Sequence, residues 1–136
     1  MQFDGGCYCG AVRYRVEGEP VLKAQCQCRP CQYVSGGGPN FFMMFGADAL
    51  TYTAGQPATY TRPDLDSPRT RDFCAACGTH LTTRQPGGRT LVIKVGTMDD
   101  PTLYGGPDAA IHMAEAQPFH CIAEGVPTYD RLPPRD

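Results

Sequence analysis

Seven clustered cysteines constrain the fold of this chain more than any other feature of its sequence. They occur as two pairs and one triplet, namely Cys7 and Cys9, Cys74 and Cys77, and Cys26, Cys28 and Cys31. Thiolates are preferred zinc ligands; structural zinc sites hold four protein ligands, whereas catalytic sites hold three and keep one position open. Four and three cysteines therefore predict two zinc ions, one in a closed structural site and one in a site that can do chemistry.

A disulfide framework is the alternative that an even total of eight cysteines raises. Disulfides belong to oxidising compartments, and the first residues of the chain lack the basic and apolar regions of a secretion signal. Cysteines separated by one or two residues are also too close to join distant elements. The spacing therefore favours free thiols that bind metal in a reducing cytoplasm.

Length and charge limit the function classes further. A chain of 136 residues suits one domain, here residues 1–136. The formal net charge of −2 argues against nucleic-acid binding, which needs a basic face to neutralise phosphates. No apolar run reaches the length that crosses a bilayer, so we expect no membrane partner.

The spacing of apolar residues predicts a mainly β domain, because no segment carries sustained helical periodicity. Alternation over 10–17 predicts a strand with one buried face, and the apolar run 41–45 predicts a strand buried on both faces. Segments 50–53 and 58–61 predict one hairpin. Segments 81–84 and 90–95 predict a second hairpin across a proline and two glycines.

The other segments carry weaker signals. A short strand over 21–25 leads into the cysteine triplet. An aspartate of the pair Asp99-Asp100 is a candidate cap for a helical turn that includes Pro101. Residues 111–114 suggest a last strand, and we expect the proline-rich tail 117–136 to wrap the surface.

The triplet has a simple route to a single metal ion. Cys26 and Cys28 share one side of an extended segment, and Pro30 favours a turn that returns Cys31 to the same point. Spacing alone leaves open whether the triplet shares ligands with the first pair, or whether another protein donor closes its site. The candidate fourth donors are Cys121, His120, His80 and His112.

The order of the motifs resembles the glutathione-dependent formaldehyde-activating enzyme family, which also includes centromere-protein-V-like proteins. The resemblance covers nearly the whole chain. It lies in Gly-Gly-Cys-x-Cys-Gly at 5–10, Cys-x-Cys-x-x-Cys at 26–31, Arg-x-Phe-Cys-x-x-Cys-Gly at 71–78, Gly-Thr-Met-Asp-Asp-Pro at 96–101 and a late Pro118-Phe119.

This resemblance implies a β-tent fold of the Mss-four-like type with two zinc ions, the second of which meets glutathione. The implied ligands are Cys7, Cys9, Cys74 and Cys77 for the structural zinc and Cys26, Cys28 and Cys31 for the catalytic one. The implied reaction adds glutathione to formaldehyde and gives S-hydroxymethylglutathione, in the class of carbon–sulfur lyases. Three residues depart from the family pattern: Gln27 where His is frequent, Phe119 where Trp is frequent, and His80 where Pro is frequent.

The hypothesis is thus an enzyme that adds a substrate thiol to an aldehyde at the three-cysteine zinc. Three thiolates donate charge to zinc, which suits thiol chemistry better than water activation. Glutathione has two carboxylates, and Arg29 inside the triplet is the first candidate to bind one. Weaker candidates are Arg71, Arg62 and Lys94, and the candidate acids or bases are His112 and His120.

Two rival functions stay open. A non-catalytic zinc module that binds a protein partner would be favoured by a fourth protein ligand at the triplet. An enzyme on the same scaffold could instead act on another thiol adduct or small electrophile.

Overall fold

The structure, a computed structural model, describes residues 1–134 as ten short strands, one α-helix and four short 3₁₀ helices. The strands are β1 (Gln2–Gly6), β2 (Arg13–Glu17), β3 (Leu22–Cys26), β4 (Asn40–Gly46), β5 (Leu50–Ala54), β6 (Ala58–Thr61), β7 (Thr70–Phe73), β8 (His80–Arg84), β9 (Thr90–Lys94) and β10 (Ala109–Ile111). The helices are α1 (Arg29–Ser35) and the 3₁₀ segments Ala47–Ala49, Val95–Thr97, Pro101–Tyr104 and Met113–Glu115. No helix among these residues is long and apolar enough to cross a membrane.

The strands form two sheets. The smaller sheet has the order β1-β2-β5 and is antiparallel throughout. The larger sheet has the order β10-β3-β4-β9-β8-β7-β6, in which β10 pairs with β3 in parallel and the other neighbours are antiparallel. The prediction of a mainly β protein is confirmed.

The main core lies between the two sheets. Tyr14 and Val16 from β2 pack with Phe45 from β4 and Leu91 and Ile93 from β9, and all five are fully buried. Buried apolar side chains of this kind contribute about 1.5–3 kcal/mol each relative to exposure. This shared cluster holds the small sheet against one face of the large one.

The other face of the large sheet carries a second apolar cluster. Successive side chains of a strand point to opposite faces, so Phe42 and Val92 face away from the residues that flank them in β4 and β9. They pack with Ala24 and Ile111 in the cluster against which the cysteine triplet lies. The two cysteine groups therefore belong to opposite faces of the large sheet, since Cys7 and Cys74 are part of the core between the sheets.

Several predicted elements are present. The hairpin formed by β8 and β9 pairs Thr82 with Ile93 and Arg84 with Leu91. Asp100 accepts a hydrogen bond from the backbone N–H of Thr102 and caps the 3₁₀ helix Pro101–Tyr104. The described part of the tail runs along β10, where the N–H of Ala110 donates to the carbonyl of Pro127 and the N–H of Tyr129 donates to the carbonyl of Ala110. Residues 135 and 136 of the predicted tail and domain lie outside the described residues.

The predicted hairpin between 50–53 and 58–61 is wrong. Leu50 and Tyr52 of β5 pack against the core between the sheets, so β5 pairs with β2 in the small sheet. Strand β6 has no buried side chain and pairs instead with β7 at the edge of the large sheet. Burial of one apolar face thus separated two strands that are adjacent in sequence.

Three further predictions need correction. Helix α1 was missed because its seven residues are too few to show helical periodicity. The last strand ends at Ile111, because His112 has a positive φ of 55° and a 3₁₀ turn follows it. Phe41, which was expected to be buried, is 41% exposed, so the apolar run of β4 is largely buried on both faces only from Phe42 onwards.

Candidate metal centres

Four cysteines meet where the end of β1 approaches the end of β7. The sulfur atoms of Cys7, Cys9, Cys74 and Cys77 all lie within 4.8 Å of one another. The Sγ atoms of Cys7 and Cys9 are 3.6 Å apart, and those of Cys9 and Cys74 are 3.8 Å apart. This group joins two segments that are 65 residues apart in sequence.

Tight turns and backbone N–H groups shape this first cysteine group. Gly78 adopts a φ of 79°, which favours glycine, and its N–H donates to the carbonyl of Cys74 at 2.8 Å. The N–H of Val12 donates to Sγ of Cys7 at 3.2 Å. Hydrogen bonds from the side chain and backbone of Thr79 lower the pKa of Cys77 to about 5. A thiolate is the form that binds metal, so these donors favour ligation.

The triplet forms a second group at the junction of β3 and α1. Cys26 is the last residue of β3, Cys28 precedes the helix, and Cys31 lies in its first turn. Their three sulfur atoms also lie within 4.8 Å of one another. The return of Cys31 comes from a helical turn, in which the N–H of Gln32 donates to the carbonyl of Cys28 at 3.1 Å.

The three thiols of this group interact strongly with one another. Hydrogen bonds from Cys26 and Cys31 lower the pKa of Cys28 to about 2, and the same interactions raise the pKa of Cys26. The hydrogen bonds from its two neighbours therefore favour Cys28 as the thiolate of this group. A cation would displace the remaining protons.

No fourth ligand joins the triplet among residues 1–134, because no histidine, carboxylate or other cysteine has a ligand atom within 4.8 Å of all three sulfur atoms. His120 accepts from the N–H of Gln117 and its Nε2 lies 2.8 Å from the carbonyl oxygen of Gly37. Cys121 is exposed, with Sγ 3.9 Å from the carbonyl oxygen of Phe119. Neither of these two predicted fourth donors lies at the triplet.

The two other candidate histidines differ in position. His80 lies at the start of β8 with its ring against that of Phe73, and burial lowers its pKa. His112 lines the same recess as the triplet, and its Nδ1 is 3.9 Å from Oε2 of Glu115. Of the two, His112 is the one that a ligand in the recess could meet.

The triplet opens into a recess of about 710 Å³ on the second face of the large sheet. Its apolar wall includes Phe42, Val92 and Ile111, which belong to the cluster on that face. Its basic side chains are Lys94, Arg71 and Arg69. A volume of this size fits an organic ligand rather than an ion alone.

Lys94, a weaker candidate from the sequence, is a buried side chain in the wall of this recess. It is 8% exposed, and its Nζ donates to Oγ1 of Thr83 at 2.9 Å. Burial lowers its pKa to about 8. The position of this lysine next to the apolar run 91–93 could have indicated its burial. Buried lysines are rare and need a partner, so such a residue is a candidate functional residue.

Arg29, the predicted carboxylate contact, lies outside the lining of this recess and lines the groove beside it. Its guanidinium donates to Oε1 of Gln32 and lies 5.0 Å from the ring centre of Tyr33. Gln27, where the family often has histidine, is fully buried and donates to the carbonyl of Ile111 at 2.7 Å. It therefore joins the triplet segment to β10.

Comparisons with known proteins show what this chain is similar to. Residues 2–115 match the family described as glutathione-dependent formaldehyde-activating enzyme. A Halomonas elongata protein named "Putative glutathione-dependent formaldehyde-activating enzyme" is 31% identical over 123 residues, which cover 87% of this chain and 78% of the relative. A crystal structure of a Rhodobacter sphaeroides protein superimposes with a TM-score of 0.58 at 19% sequence identity. The match covers 76% of this chain and 96% of the Rhodobacter chain, so the two share a fold. This chain therefore belongs to the glutathione-dependent formaldehyde-activating enzyme family.

Proposed function

We propose that this protein is a zinc-dependent enzyme of the carbon–sulfur lyase class that resembles S-(hydroxymethyl)glutathione synthase. It adds a thiol, glutathione, to formaldehyde or a related small electrophile. The observation that carries the proposal is the convergence of Cys26, Cys28 and Cys31 on an open recess, without a fourth ligand among residues 1–134. A closed structural site would need that fourth ligand.

Both cysteine groups fit zinc by their chemistry. Cys7, Cys9, Cys74 and Cys77 offer four sulfur atoms and would hold a structural ion, and Cys26, Cys28 and Cys31 offer three and would hold a catalytic one. When bound at the triplet, zinc supplies a position for the substrate sulfur and lowers the pKa of its thiol.

The net reaction forms one bond and moves one proton. The substrate sulfur forms a bond to the aldehyde carbon, the π pair of the C=O bond moves to oxygen, and that oxygen takes up the proton that the thiol has lost. Negative charge therefore develops on the aldehyde oxygen. Preorganised donors aimed at such an oxygen are among the largest contributions to catalysis.

Lys94 is the residue that we assign to this oxygen. It is a buried cation in the wall of the recess, and its hydrogen-bond acceptor, the hydroxyl of Thr83, is neutral. The attraction between this ammonium group and the aldehyde oxygen grows as negative charge develops on the oxygen, because a buried site screens charges weakly. The apolar side chains Phe42 and Val92 line the same recess.

The domain is a single β-tent over residues 1–136 with two zinc ions, and Arg29 binds part of the thiol substrate. All eight cysteines are free, which supports a reducing cytoplasm. The partner is a small-molecule thiol rather than nucleic acid or a membrane.

Loss of one ligand tests the proposal. Cys28→Ser should remove one of two zinc ions, measured by metal analysis of the purified protein, and abolish acceleration of glutathione addition to formaldehyde above the uncatalysed rate. Cys121→Ser is the matched control, because this exposed thiol is outside both groups. Full activity of Cys28→Ser would contradict the catalytic role. A zinc X-ray absorption spectrum unchanged by saturating glutathione would instead favour a non-catalytic zinc module.

A further inference from the structure

A second cavity adjoins the recess of the cysteine triplet. It has a volume of about 630 Å³ and lies between α1 and the segment that joins β6 to β7. Four arginines line it: Arg29, Arg62, Arg69 and Arg71. We call this cavity the arginine groove. Arg69 and Arg71 line both cavities, so the groove and the recess adjoin at these two side chains.

The positive charge of this groove is largely uncompensated. Elsewhere in residues 1–134, Arg13, Arg15 and Arg84 each form a salt bridge with an aspartate. In the groove, Arg62 pairs with Asp64 at 2.7 Å, whereas the other three arginines have no salt bridge among the described residues.

Neutral groups orient two of these arginines. Nε of Arg69 donates to Oε1 of Gln85 at 3.1 Å, and Nη1 of Arg71 lies 3.4 Å from Oγ1 of Thr83. Amide and hydroxyl partners fix a guanidinium without cancelling its charge. In a chain with a formal net charge of −2, this local excess of positive charge indicates an anionic ligand.

The size of the recess indicates a ligand much larger than the aldehyde. Formaldehyde has two heavy atoms, whereas the recess alone occupies about 710 Å³. An extended peptide advances about 3.3–3.6 Å per residue, so a carboxylate one residue away from a cysteine lies beyond the thiol site. Tyr33 and Tyr60 add exposed aromatic surface beside the arginines, on which a peptide chain can pack.

We propose that the arginine groove is a carboxylate-binding subsite, through which the enzyme selects peptide thiols that carry a carboxylate at a distance from sulfur. The assignment rests on the proposed function, because it takes the recess as the place of the substrate sulfur. Guanidinium groups bind carboxylates in a bidentate manner, which makes arginine the suitable residue for such a subsite.

The first experiment measures binding without chemistry. S-methylglutathione keeps both carboxylates but has no thiol, and its dimethyl ester lacks the negative charges. Calorimetry on the zinc-loaded protein should show S-methylglutathione binding at least about tenfold more tightly than the ester. Arg69→Gln should remove that preference, Arg69→Lys should keep part of it, and Arg15→Gln, whose arginine pairs with Asp4 in the small sheet, should leave it unchanged. Equal affinity for acid and ester would overturn the subsite.

The second experiment separates failure of the subsite from failure of the proposed function. With wild-type protein, glutathione should give a kcat/KM at least about tenfold above that of cysteamine, which has a thiol and no carboxylate. Equal values would overturn the subsite while leaving the thiol-addition activity in place. Absence of activity toward every thiol, with acid-selective binding of S-methylglutathione retained, would reject the proposed function and support the subsite.

Discussion

Nζ of Lys94 donates a 2.9 Å hydrogen bond to Oγ1 of Thr83 on the neighbouring strand β8. Both residues are buried and both line the recess that contains the cysteine triplet. A buried cation held by a neutral hydroxyl keeps its charge available to a ligand, in contrast to a cation held by a carboxylate.

Replacement of this lysine tests its role in stabilising charge. Lys94→Met should lower kcat for glutathione addition about a hundredfold, because the aldehyde oxygen loses its donor. The free energy of unfolding should fall little, since burial disfavours the charged form and lowers its pKa to about 8. Steady-state kinetics and urea unfolding measure the two effects. Lys23→Met is the matched control, because Lys23 donates to the carbonyl of Tyr104 and does not line the recess. An unchanged kcat for Lys94→Met would contradict the assignment.

Loss of Thr83 should act through Lys94. Thr83→Val removes the hydroxyl that orients the ammonium group, so kcat should fall by less than in Lys94→Met. In the double variant, the two effects on kcat should not add, because the hydroxyl no longer has an ammonium group to orient. Its contact with Arg71 should affect the affinity for S-methylglutathione rather than kcat. Kinetics of the two single variants and the double variant measure this coupling. Independent effects would show that Thr83 acts elsewhere.

The two cysteine groups should differ in their effect on stability. Cys74 is 2% exposed in the core between the sheets, and its group joins distant segments. Cys74→Ser should lower the free energy of unfolding by more than about 3 kcal/mol, since a structural metal contributes directly to folding. Cys31→Ser should remove one zinc ion with a clearly smaller loss in urea unfolding. A larger loss for Cys31→Ser would reverse the assignment of structural and catalytic groups.

Gly5 is a position where a single methyl group should disrupt the core. A Cβ added there would lie 2.5 Å from the carbonyl oxygen of Thr97 and would also contact the hydroxyl of Tyr14. Gly5→Ala should therefore lower the free energy of unfolding by about 1–3 kcal/mol, the usual effect of overpacking. Gly38→Ala is the control, because nothing lies within 4 Å of its Cβ position. Equal urea midpoints for the two variants would show that β1 shifts freely.

Tyr14 should make stability depend on alkaline pH. Its hydroxyl lies 2.8 Å from Oγ1 of Thr97, and burial raises the pKa of the phenol from 10.0 to about 12. Above the unfolded pKa the unfolded chain ionises first, so this contribution to stability is present below pH 10.0 and lost as pH rises toward about 12.

Urea unfolding of Tyr14→Phe measures this pH dependence. Near neutral pH the variant should be about 1 kcal/mol less stable, because it lacks the hydrogen bond. The difference should shrink or reverse between about pH 10 and 12, since phenylalanine does not ionise. Tyr8→Phe, at a tyrosine that is 96% exposed, should show neither effect. A difference that stays constant with pH would contradict the buried phenol as its cause.

The cysteine groups could be predicted from sequence because their spacing is local. Cys26, Cys28 and Cys31 lie within six residues, and any compact turn brings them together. Strands β2, β4 and β9 could also be predicted, because alternating or continuous apolar residues indicate which side chains are buried. The pair Cys7 and Cys9 could be matched with Cys74 and Cys77 only by counting ligands, and the structure brings these four together.

The thiol chemistry of this protein follows from its amino-acid order, which places seven clustered cysteines, divided into four and three, on a mainly β chain. The surroundings of these cysteines follow from how the strands pack. The pairing of β5 with β2 and of β6 with β7 depended on burial across the whole chain, and local patterns do not record it. The same holds for the recess, where Lys94 and Arg69 come from strands and loops far from the triplet in sequence. Side chains distant in sequence meet through the packing of the sheets, so the charge around the three cysteines could be read only from the folded chain.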